Sequence, residues 1–247
     1  MLITPHDEPR DRLIVALDVA TKAEALEIVQ DLSGLISFYK IGYQLFLAEG
    51  MGFVRELIQR KIRIFLDFKM DDVEETITNA VREITKNDVQ LLTLHGNGAT
   101  ARAAVVGRGD STIPKLLSVT LLSSLDTQDL IDLGILGTRG KFKSLMEYVL
   151  WRAKAAVESG CDGLIASGET IARIRTHVGE RPIIVSPGIR PVGTSGDDHK
   201  RSTTPREAIA AGADYLVVGR PIRNAPNRRR MAEQIIDEIE KATTVTA

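Results

Sequence analysis

The sequence predicts an α/β protein whose eight parallel strands close into a single (β/α)8 barrel, the TIM barrel. Three observations support this fold: short apolar runs recur along the chain, segments with helical spacing separate them, and no shift in composition divides the 247 residues. Parallel neighbours need crossover connections, which are usually helices. Eight such units in about 250 residues match the closed barrel.

The predicted strands are short runs rich in β-branched and other apolar residues. They occupy residues 12–19, 37–42, 62–69, 89–96, 115–122, 162–168, 182–188 and 214–220. Helical spacing fills the segments between them, as where Val73, Ile77, Val81 and Ile84 fall on one stripe. An open doubly wound sheet is the alternative fold. It would carry a glycine-rich phosphate loop after its first strand, whereas "LDVATKAEA" at 17–25 contains no glycine.

Two predicted connections are unusually long. Residues 123–143 join the fifth and sixth strands, and "DTQDLIDLGI" within them predicts a short extra helix. Residues 188–205 join the seventh strand to the last helical turn before the eighth. A connection of this length without its own pattern is typical of a binding loop. We expect residues 1–247 to form one catalytic domain with this loop at its site.

Composition and charge narrow the class of protein. A net charge of −1 with 43% hydrophobic and 26% charged residues is ordinary for a globular protein and gives no support for a nucleic-acid or membrane surface. The single cysteine, Cys161, excludes an internal disulfide framework and a cysteine-based metal cage. The start "MLITPHDEPR" lacks the features of a signal peptide, and no apolar run approaches the roughly 18 residues of a membrane span. The expected location is the cytoplasm.

Polar residues gather at the carboxyl ends of the predicted strands, where barrels place their active sites. These residues are Asp18, Lys40, Asp67, Lys69, His95, Ser123 and Arg220. Each could instead be a solvated entrance to a loop, and His95 could be a structural strand-end residue. The prediction of a site therefore rests on the occurrence of all these residues at one end of the barrel, and not on any single residue.

The stretch "FLDFKMDD" at 65–72 is the most informative. Strand side chains alternate faces, so Asp67 and Lys69 share one face and Phe68 takes the other. If Phe68 packs outward, the carboxylate and the ammonium point into the barrel mouth. At about 4 Å and an effective dielectric near 20, such a pair interacts by about 4 kcal/mol. Desolvation offsets much of that gain, which favours a functional interpretation over a stabilising one.

The two acidic residues after this strand have structural alternatives. Asp72 could cap the following helix, with Glu75 completing a D-x-x-E capping box. Asp71 is expected at the surface.

The ends of the seventh and eighth strands, "SPGIRP" and "VVGRP", predict a phosphate site. In barrels the loops after these strands often bind phosphate through backbone N–H groups. Gly188 and Gly219 allow close approach of the backbone to an anion, and Arg220 can fork onto phosphate oxygens.

Together these motifs resemble the orotidine 5′-phosphate decarboxylase family of the bacterial type, over essentially the whole chain. The resemblance rests on "VALD", "YKIG", "LDFKMDD", "VTLLSS", "PGIRP" and "VVGRPI" in this order. The D-x-K-x-x-D set of Asp67, Lys69 and Asp72 is the most specific element, although related sugar-phosphate enzymes share similar spacing. The resemblance implies cofactor-free and metal-free decarboxylation of orotidine 5′-phosphate to uridine 5′-phosphate in pyrimidine biosynthesis.

The resemblance also implies roles for catalytic residues. Lys69 would be the proton donor, held in an alternating network with Lys40 and Asp67. Asp72 would reach this network from the neighbouring subunit, and Thr76 would touch the substrate from the same partner. The implied assembly is a homodimer with shared active sites.

The implied substrate contacts come from several strands. Asp18 and Lys40 would bind the ribose hydroxyls, and Ser123 would bind the pyrimidine. The base and phosphate would be enclosed by the 188–205 loop together with Pro187, Gly219 and Arg220.

Two departures from the family pattern stand out. Glu74 and Glu75 replace the usual Pro-Asn pair after the second aspartate. The 188–205 loop also lacks the glutamine with which family members bridge base and phosphate. Val192, Asp198 or His199 would take its place.

Three other functions remain open. A metal-assisted sugar-phosphate decarboxylase or aldol enzyme could use the same Asp–Lys–Asp frame to hold a divalent cation. A Schiff-base aldolase is disfavoured, because its lysine must be neutral when it attacks, whereas Asp67 and Asp72 favour the ammonium form of Lys69. The third is a barrel that binds a nucleotide without catalysis.

Overall fold

The computed structural model describes residues 8–138, 140–191 and 203–246. Eight parallel strands form a closed barrel in chain order, and the last strand pairs with the first. The strands are β1 (Leu13–Ala16), β2 (Phe38–Gly42), β3 (Arg63–Met70), β4 (Leu91–Leu94), β5 (Lys115–Val119), β6 (Gly163–Ile165), β7 (Ile183–Ser186) and β8 (Tyr215–Val218). The predicted (β/α)8 TIM barrel is confirmed.

Helices follow the strands and cover the outside of the barrel. They are α1 (Lys22–Asp31), α2 (Tyr43–Gln59), α3 (Glu74–Thr85), α4 (Gly98–Arg108), α5 (Thr127–Asp132), α6 (Leu145–Glu158), α7 (Thr170–Val178), α8 (Pro205–Ala210), α9 (Arg220–Arg223) and α10 (Arg228–Thr246). A short 3-10 helix, Pro9–Arg12, precedes β1. The extra helix predicted in the 123–143 connection is α5, which begins with a capping box between Asp126 and Asp129.

Two apolar cores flank the strands because successive side chains point to opposite faces. The larger core lies between the strands and the helices. The smaller fills the barrel interior and contains Ile14, Phe38, Phe65, Leu91, Leu117, Val185 and Tyr215. Because apolar side chains fill the interior, a substrate is expected at the carboxyl ends of the strands, as in other barrels.

Strand β3 departs from regular pairing where its charged residues begin. Leu66 pairs with Leu92 and Met70 pairs with Leu94, so residues 67–69 of β3 lie opposite one residue of β4, Thr93. Lys69 has a φ of +47°. A left-handed conformation costs a non-glycine residue about 1–3 kcal/mol, and such strain is concentrated at functional sites. Regular alternation along β3 does not predict this bulge.

Phe68 lies on the outer face of β3, as expected. Its side chain is buried, and its ring packs against Tyr43 and Phe46 of α2 with centroid separations of 5.6 and 4.6 Å. The hydroxyl of Tyr43 also donates a hydrogen bond to the backbone carbonyl of Phe68. This contact fixes the bulged segment from outside, so that Asp67 and Lys69 face the barrel mouth.

Part of the long 188–205 connection, residues 192–202, lies outside the described residues. Its two ends are described: Ile189 forms a β-bridge with Thr203. In the described part of the chain, no helix has the length and apolar character to cross a membrane.

Candidate active site

A cavity of about 510 Å³ opens at the carboxyl ends of the strands. It receives side chains or backbone from β1, β2, β3, β5, β6, β7 and β8 or the loops that follow them. Its polar and glycine lining includes Asp18, Lys40, Asp67, Lys69, Ser123, Ser124, Gly188, Arg190, Gly219, Arg220 and Arg223, and Pro187 lies beside them. The structure therefore brings together the predicted residues Asp18, Lys40, Asp67, Lys69, Ser123, Pro187, Gly219 and Arg220, whereas Asp72, Thr76 and His95 are not among the described residues of the wall.

Four charged side chains form an alternating row across this cavity. Nζ of Lys40 lies 2.8 Å from Oδ1 of Asp18 and 3.4 Å from Oδ2 of Asp67. Nζ of Lys69 lies 2.8 Å from Oδ1 of Asp67. The order Asp18, Lys40, Asp67, Lys69 places each cation against at least one carboxylate.

Lys40 is buried, with 8% of its surface exposed. Burial alone would lower the pKa of this amine, but the carboxylates of Asp67 and Asp18 outweigh that effect and raise its pKa above the ordinary value. Lys40 is therefore a permanent cation between two anions.

Asp67 is the centre of the row. Its Oδ1 accepts hydrogen bonds from Nζ of Lys69 at 2.8 Å and from the hydroxyl of Thr93 at 2.9 Å. Burial opposes the carboxylate, but the charges of Lys40 and Lys69 and these hydrogen bonds hold the pKa of Asp67 below its ordinary value. Asp67 is thus a fixed anion at the base of the cavity.

Lys69 is more open than its neighbours, with 36% of its side chain exposed compared with 15% for Asp67. Its ammonium lines the cavity while one hydrogen bond ties it to Asp67. An ammonium has three N–H donors, so the group can still donate to a bound molecule.

Asp72 and Thr76 are exposed at the start of α3 and are not among the described residues that line the cavity. Oδ1 of Asp72 accepts a hydrogen bond from the N–H of Val73 at 2.7 Å. Val73, not Asp72, is the N-cap of α3, and no side-chain capping bond is formed at this described helix start. The capping box that was the structural alternative for Asp72 and Glu75 does not form. Asp71 is exposed as expected and accepts a hydrogen bond from Thr100 at 3.3 Å.

The loops after β7 and β8 form the other side of the cavity. Gly188 has a φ of +76°, which explains the glycine at this turn, and Arg220 begins α9. Arg190 and Arg223 also line the cavity, and neither was predicted from the sequence. Arg190 lies within the quoted "PGIRP" motif, and Arg223 lies three residues after Arg220, so proximity to these motifs was the available signal.

Arg223 also donates a hydrogen bond from Nη1 to the backbone carbonyl of Asp18. The loop after β8 is thereby tied to the end of β1. The residues predicted to replace the bridging glutamine, Val192, Asp198 and His199, lie outside the described residues.

His95 follows β4 but is not among the described residues of the cavity wall. Arg152 of α6 donates hydrogen bonds to the backbone carbonyls of His95 and Val119, the latter at 3.0 Å, and so joins the ends of β4 and β5. Burial, with the nearby charges of Arg152 and Lys69, lowers the pKa of His95. Its position outside the described cavity wall favours the structural interpretation of His95.

Comparison with known proteins agrees with this geometry. Residues 11–235 match the model of the Orotidine 5′-phosphate decarboxylase / HUMPS family. The protein named orotidine 5′-phosphate decarboxylase from Nitrobacter winogradskyi is 44% identical over 237 residues, which cover 96% of this chain and 95% of that protein. A protein of the same name from Rhodopseudomonas palustris strain BisA53 is 43% identical over 96% of this chain and 98% of its own length.

Among solved structures, orotidine 5′-phosphate decarboxylase from Lactobacillus acidophilus is similar to this chain with a TM-score of 0.79 and 31% identity. The similarity covers 94% of this chain and 99% of the other.

Proposed function

Because the chain belongs to the Orotidine 5′-phosphate decarboxylase / HUMPS family, we propose that it removes carbon dioxide from C6 of orotidine 5′-phosphate, with Lys69 as the proton donor. The product is uridine 5′-phosphate, and the reaction belongs to pyrimidine biosynthesis. The roles proposed for these residues rest mainly on one observation: Asp18, Lys40, Asp67 and Lys69 form an alternating row of charges across one cavity.

Loss of carbon dioxide leaves the bonding electron pair on C6, a vinyl-type carbanion without an obvious electron sink. Stabilisation must then come from charges fixed in the site. Asp67, a buried anion, would face the carboxylate of the substrate and disfavour its charged ground state. As carbon dioxide leaves, that repulsion ends and the ammonium of Lys69 faces the developing charge. Lys69 transfers its proton to C6 and is reprotonated from solvent.

The remaining cavity residues fit contacts to the rest of the nucleotide. Asp18 and Lys40 would bind the ribose hydroxyls, and Ser123 would bind the pyrimidine. The base and phosphate would be enclosed by Pro187, Gly219 and Arg220, all of which line the cavity. Arg190 adds a further cation to this side. We propose that the 188–205 connection covers the phosphate.

We further propose a homodimer in which Asp72 and Thr76 complete the site of the partner subunit. Both side chains are exposed, and large exposed apolar side chains occur on α2 and before α3: Tyr43 is 55% exposed, Leu47 80% and Val73 67%. Large exposed apolar side chains on adjacent elements are typical of a protein interface. A second copy of this chain would cover them and bring Asp72 near a site that lacks it. The expected location of the enzyme is the cytoplasm.

The direct test follows the loss of orotidine 5′-phosphate absorbance with purified protein, with and without a chelator. We expect decarboxylation that the chelator does not change. No group of three or more His, Cys, Asp or Glu side chains suited to a metal is found within the described residues. Activity abolished by the chelator would support the metal-dependent sugar-phosphate enzyme instead. Borohydride trapping of substrate on Lys69 or Lys40 would support a Schiff-base aldolase.

A further inference from the structure

We propose, building on the roles proposed above for Asp67 and Lys69, that Thr93 is a positioning residue whose hydroxyl holds the proton donor and its anionic partner in register. Thr93 lies on β4, is fully buried and contacts both residues of β3 through one oxygen atom. It is not among the described residues of the cavity wall, so it would act on the reaction only through Asp67 and Lys69.

The bulge in β3 creates the need for such a residue. Regular pairing resumes only at Met70, so the backbone N–H of Lys69 falls in a gap of the ladder between β3 and β4. This N–H donates to Oγ1 of Thr93 at 2.9 Å. A side-chain oxygen therefore takes the place of a backbone acceptor at Lys69, a non-glycine residue with a left-handed backbone.

The same hydroxyl has a single hydrogen to donate, and that hydrogen goes to Oδ1 of Asp67 at 2.9 Å. The hydroxyl thus accepts from the backbone of Lys69 and donates to the side chain of Asp67. Oδ1 of Asp67 in turn accepts from Nζ of Lys69. The three bonds close a ring that relates the backbone and the ammonium of Lys69 to one carboxylate oxygen, which fixes the direction of the ammonium.

The ring of hydrogen bonds should also help to keep Asp67 ionised. The charged groups that face Asp67 are Lys40 from β2 and Lys69 from β3, with Asp18 behind Lys40, and Thr93 is its neutral donor from β4. His95, at the end of β4, is near Lys69. Removal of the hydroxyl leaves the lysines in place and takes one donor from the carboxylate, which favours its protonated form.

The experiment compares Thr93→Val and Thr93→Ala, which lack the hydroxyl, with Thr93→Ser, which keeps it. For orotidine 5′-phosphate decarboxylation we expect kcat of the Val and Ala variants to fall about 10- to 100-fold, because a hydrogen bond to a charged group is lost at the reacting centre. KM should change by less than about 3-fold, since Thr93 is not itself among the described residues of the cavity wall. The acid limb of the kcat/KM profile should move to higher pH in both variants. Thr93→Ser should stay within about 3-fold of the wild type and keep its acid limb.

Thr120→Val is the matched control. Thr120 is also a buried threonine near the end of a strand, and its hydroxyl donates to the backbone carbonyl of Ile165 at 2.9 Å rather than to a charged group. Its loss should lower stability without moving the acid limb.

The proposal is overturned if the Val and Ala variants keep the wild-type kcat and acid limb, if Thr93→Ser is as impaired as Thr93→Val, or if neither hydroxyl-free variant folds. A wild-type protein that does not decarboxylate orotidine 5′-phosphate would instead contradict the proposed function.

Discussion

Nζ of Lys40 on β2 lies 3.4 Å from Oδ2 of Asp67 on β3, although the two residues are not paired in the sheet. In the register of these strands Lys40 pairs with Phe65, and Asp67 pairs with Gly42. The side chain of Lys40 therefore extends along its strand by two residues towards the rim. Gly42 lies beside this ion pair: a Cβ at this position would be in contact with Nζ of Lys40 and with Oδ1 of Asp18, each at 3.4 Å.

The first prediction concerns this pair. Asp67→Asn should lower the free energy of unfolding at neutral pH by about 2 to 3 kcal/mol, because a buried ammonium loses one of its two carboxylates and keeps Asp18. The pKa of Asp67 is lower in the folded protein than its ordinary value. Its stabilisation is therefore complete above the unfolded pKa of about 3.9 and is lost as the pH falls through the folded pKa.

Urea denaturation of the wild type and Asp67→Asn between pH 3 and 8, roughly the range that brackets this titration, measures the effect. The difference between the two proteins should be constant above about pH 5 and should shrink below about pH 4. Asp237→Asn is the control, since Asp237 pairs with Lys241 on the surface of α10 and should change stability by less than about 1 kcal/mol. A difference that grows towards acid pH would contradict the assignment of Asp67 as a stabilising anion.

The second prediction tests the proton donor. Lys69→Ala should reduce kcat by at least about 1,000-fold, because it removes both the general acid and a charge directed at the developing carbanion. KM should change far less if the ribose and phosphate contacts provide most of the binding. Steady-state decarboxylation of orotidine 5′-phosphate measures both values. Lys86→Ala, which removes an exposed lysine paired with Glu83, should be fully active, and retention of activity by Lys69→Ala would refute the proposed role.

The barrel could be predicted from the sequence because its eight units repeat one simple pattern, a buried strand followed by an amphipathic helix. The inward direction of Asp67 and Lys69 followed from the same alternation, with Phe68 as the outward residue between them. The details of the site depend on where that pattern fails. The bulge opposite Thr93 and the left-handed Lys69 arise in the pairing of β3 with β4, two strands that α3 separates in the sequence, and no local spacing reveals that register. A buried threonine in an apolar strand also gives no sign of its partner.

Asp72 shows that a local motif can be present in the sequence without forming in the structure. Its sequence position before a helix, three residues ahead of Glu75, matches a capping box, but the helix begins one residue later than the motif requires. The residue at which α3 begins depends on where the preceding strand, β3, ends. That boundary cannot be resolved from residue types alone.

The third prediction concerns the phosphate end of the cavity. Arg220→Ala should reduce kcat/KM for orotidine 5′-phosphate by about 100-fold or more, since a forked, charge-assisted contact is lost. It should change kcat/KM for orotidine, which lacks the phosphate, by less than about 3-fold, because that substrate never makes the contact. Arg181→Ala, at an exposed position before β7 and thus at the opposite end of the barrel, is the control.

Orotidine itself reports on how the phosphate contact is used. We expect kcat/KM of the wild type for orotidine to fall much further than the loss of affinity explains, because binding energy from the phosphate orients the reacting ring. Turnover of orotidine at saturation equal to that of the full substrate would show that the phosphate serves only as an anchor.

The last prediction tests whether active sites are shared between subunits. Asp72 is exposed in the single chain, and no described residue of the cavity wall supplies a second carboxylate next to Lys69 beyond Asp67. If a partner's Asp72 completes the site, a heterodimer of Lys69→Ala and Asp72→Ala subunits has one intact site and one doubly defective site. Random exchange between equal amounts of the two should restore up to about a quarter of wild-type activity.

Lys69→Ala mixed with Asp67→Ala is the control: both residues lie on one strand of the same subunit, so each site stays defective and no activity should return. Heterodimers confirmed by mass spectrometry that remain inactive in the first mixture, or recovery that is equal in both mixtures, would show that Asp72 does not act across the interface.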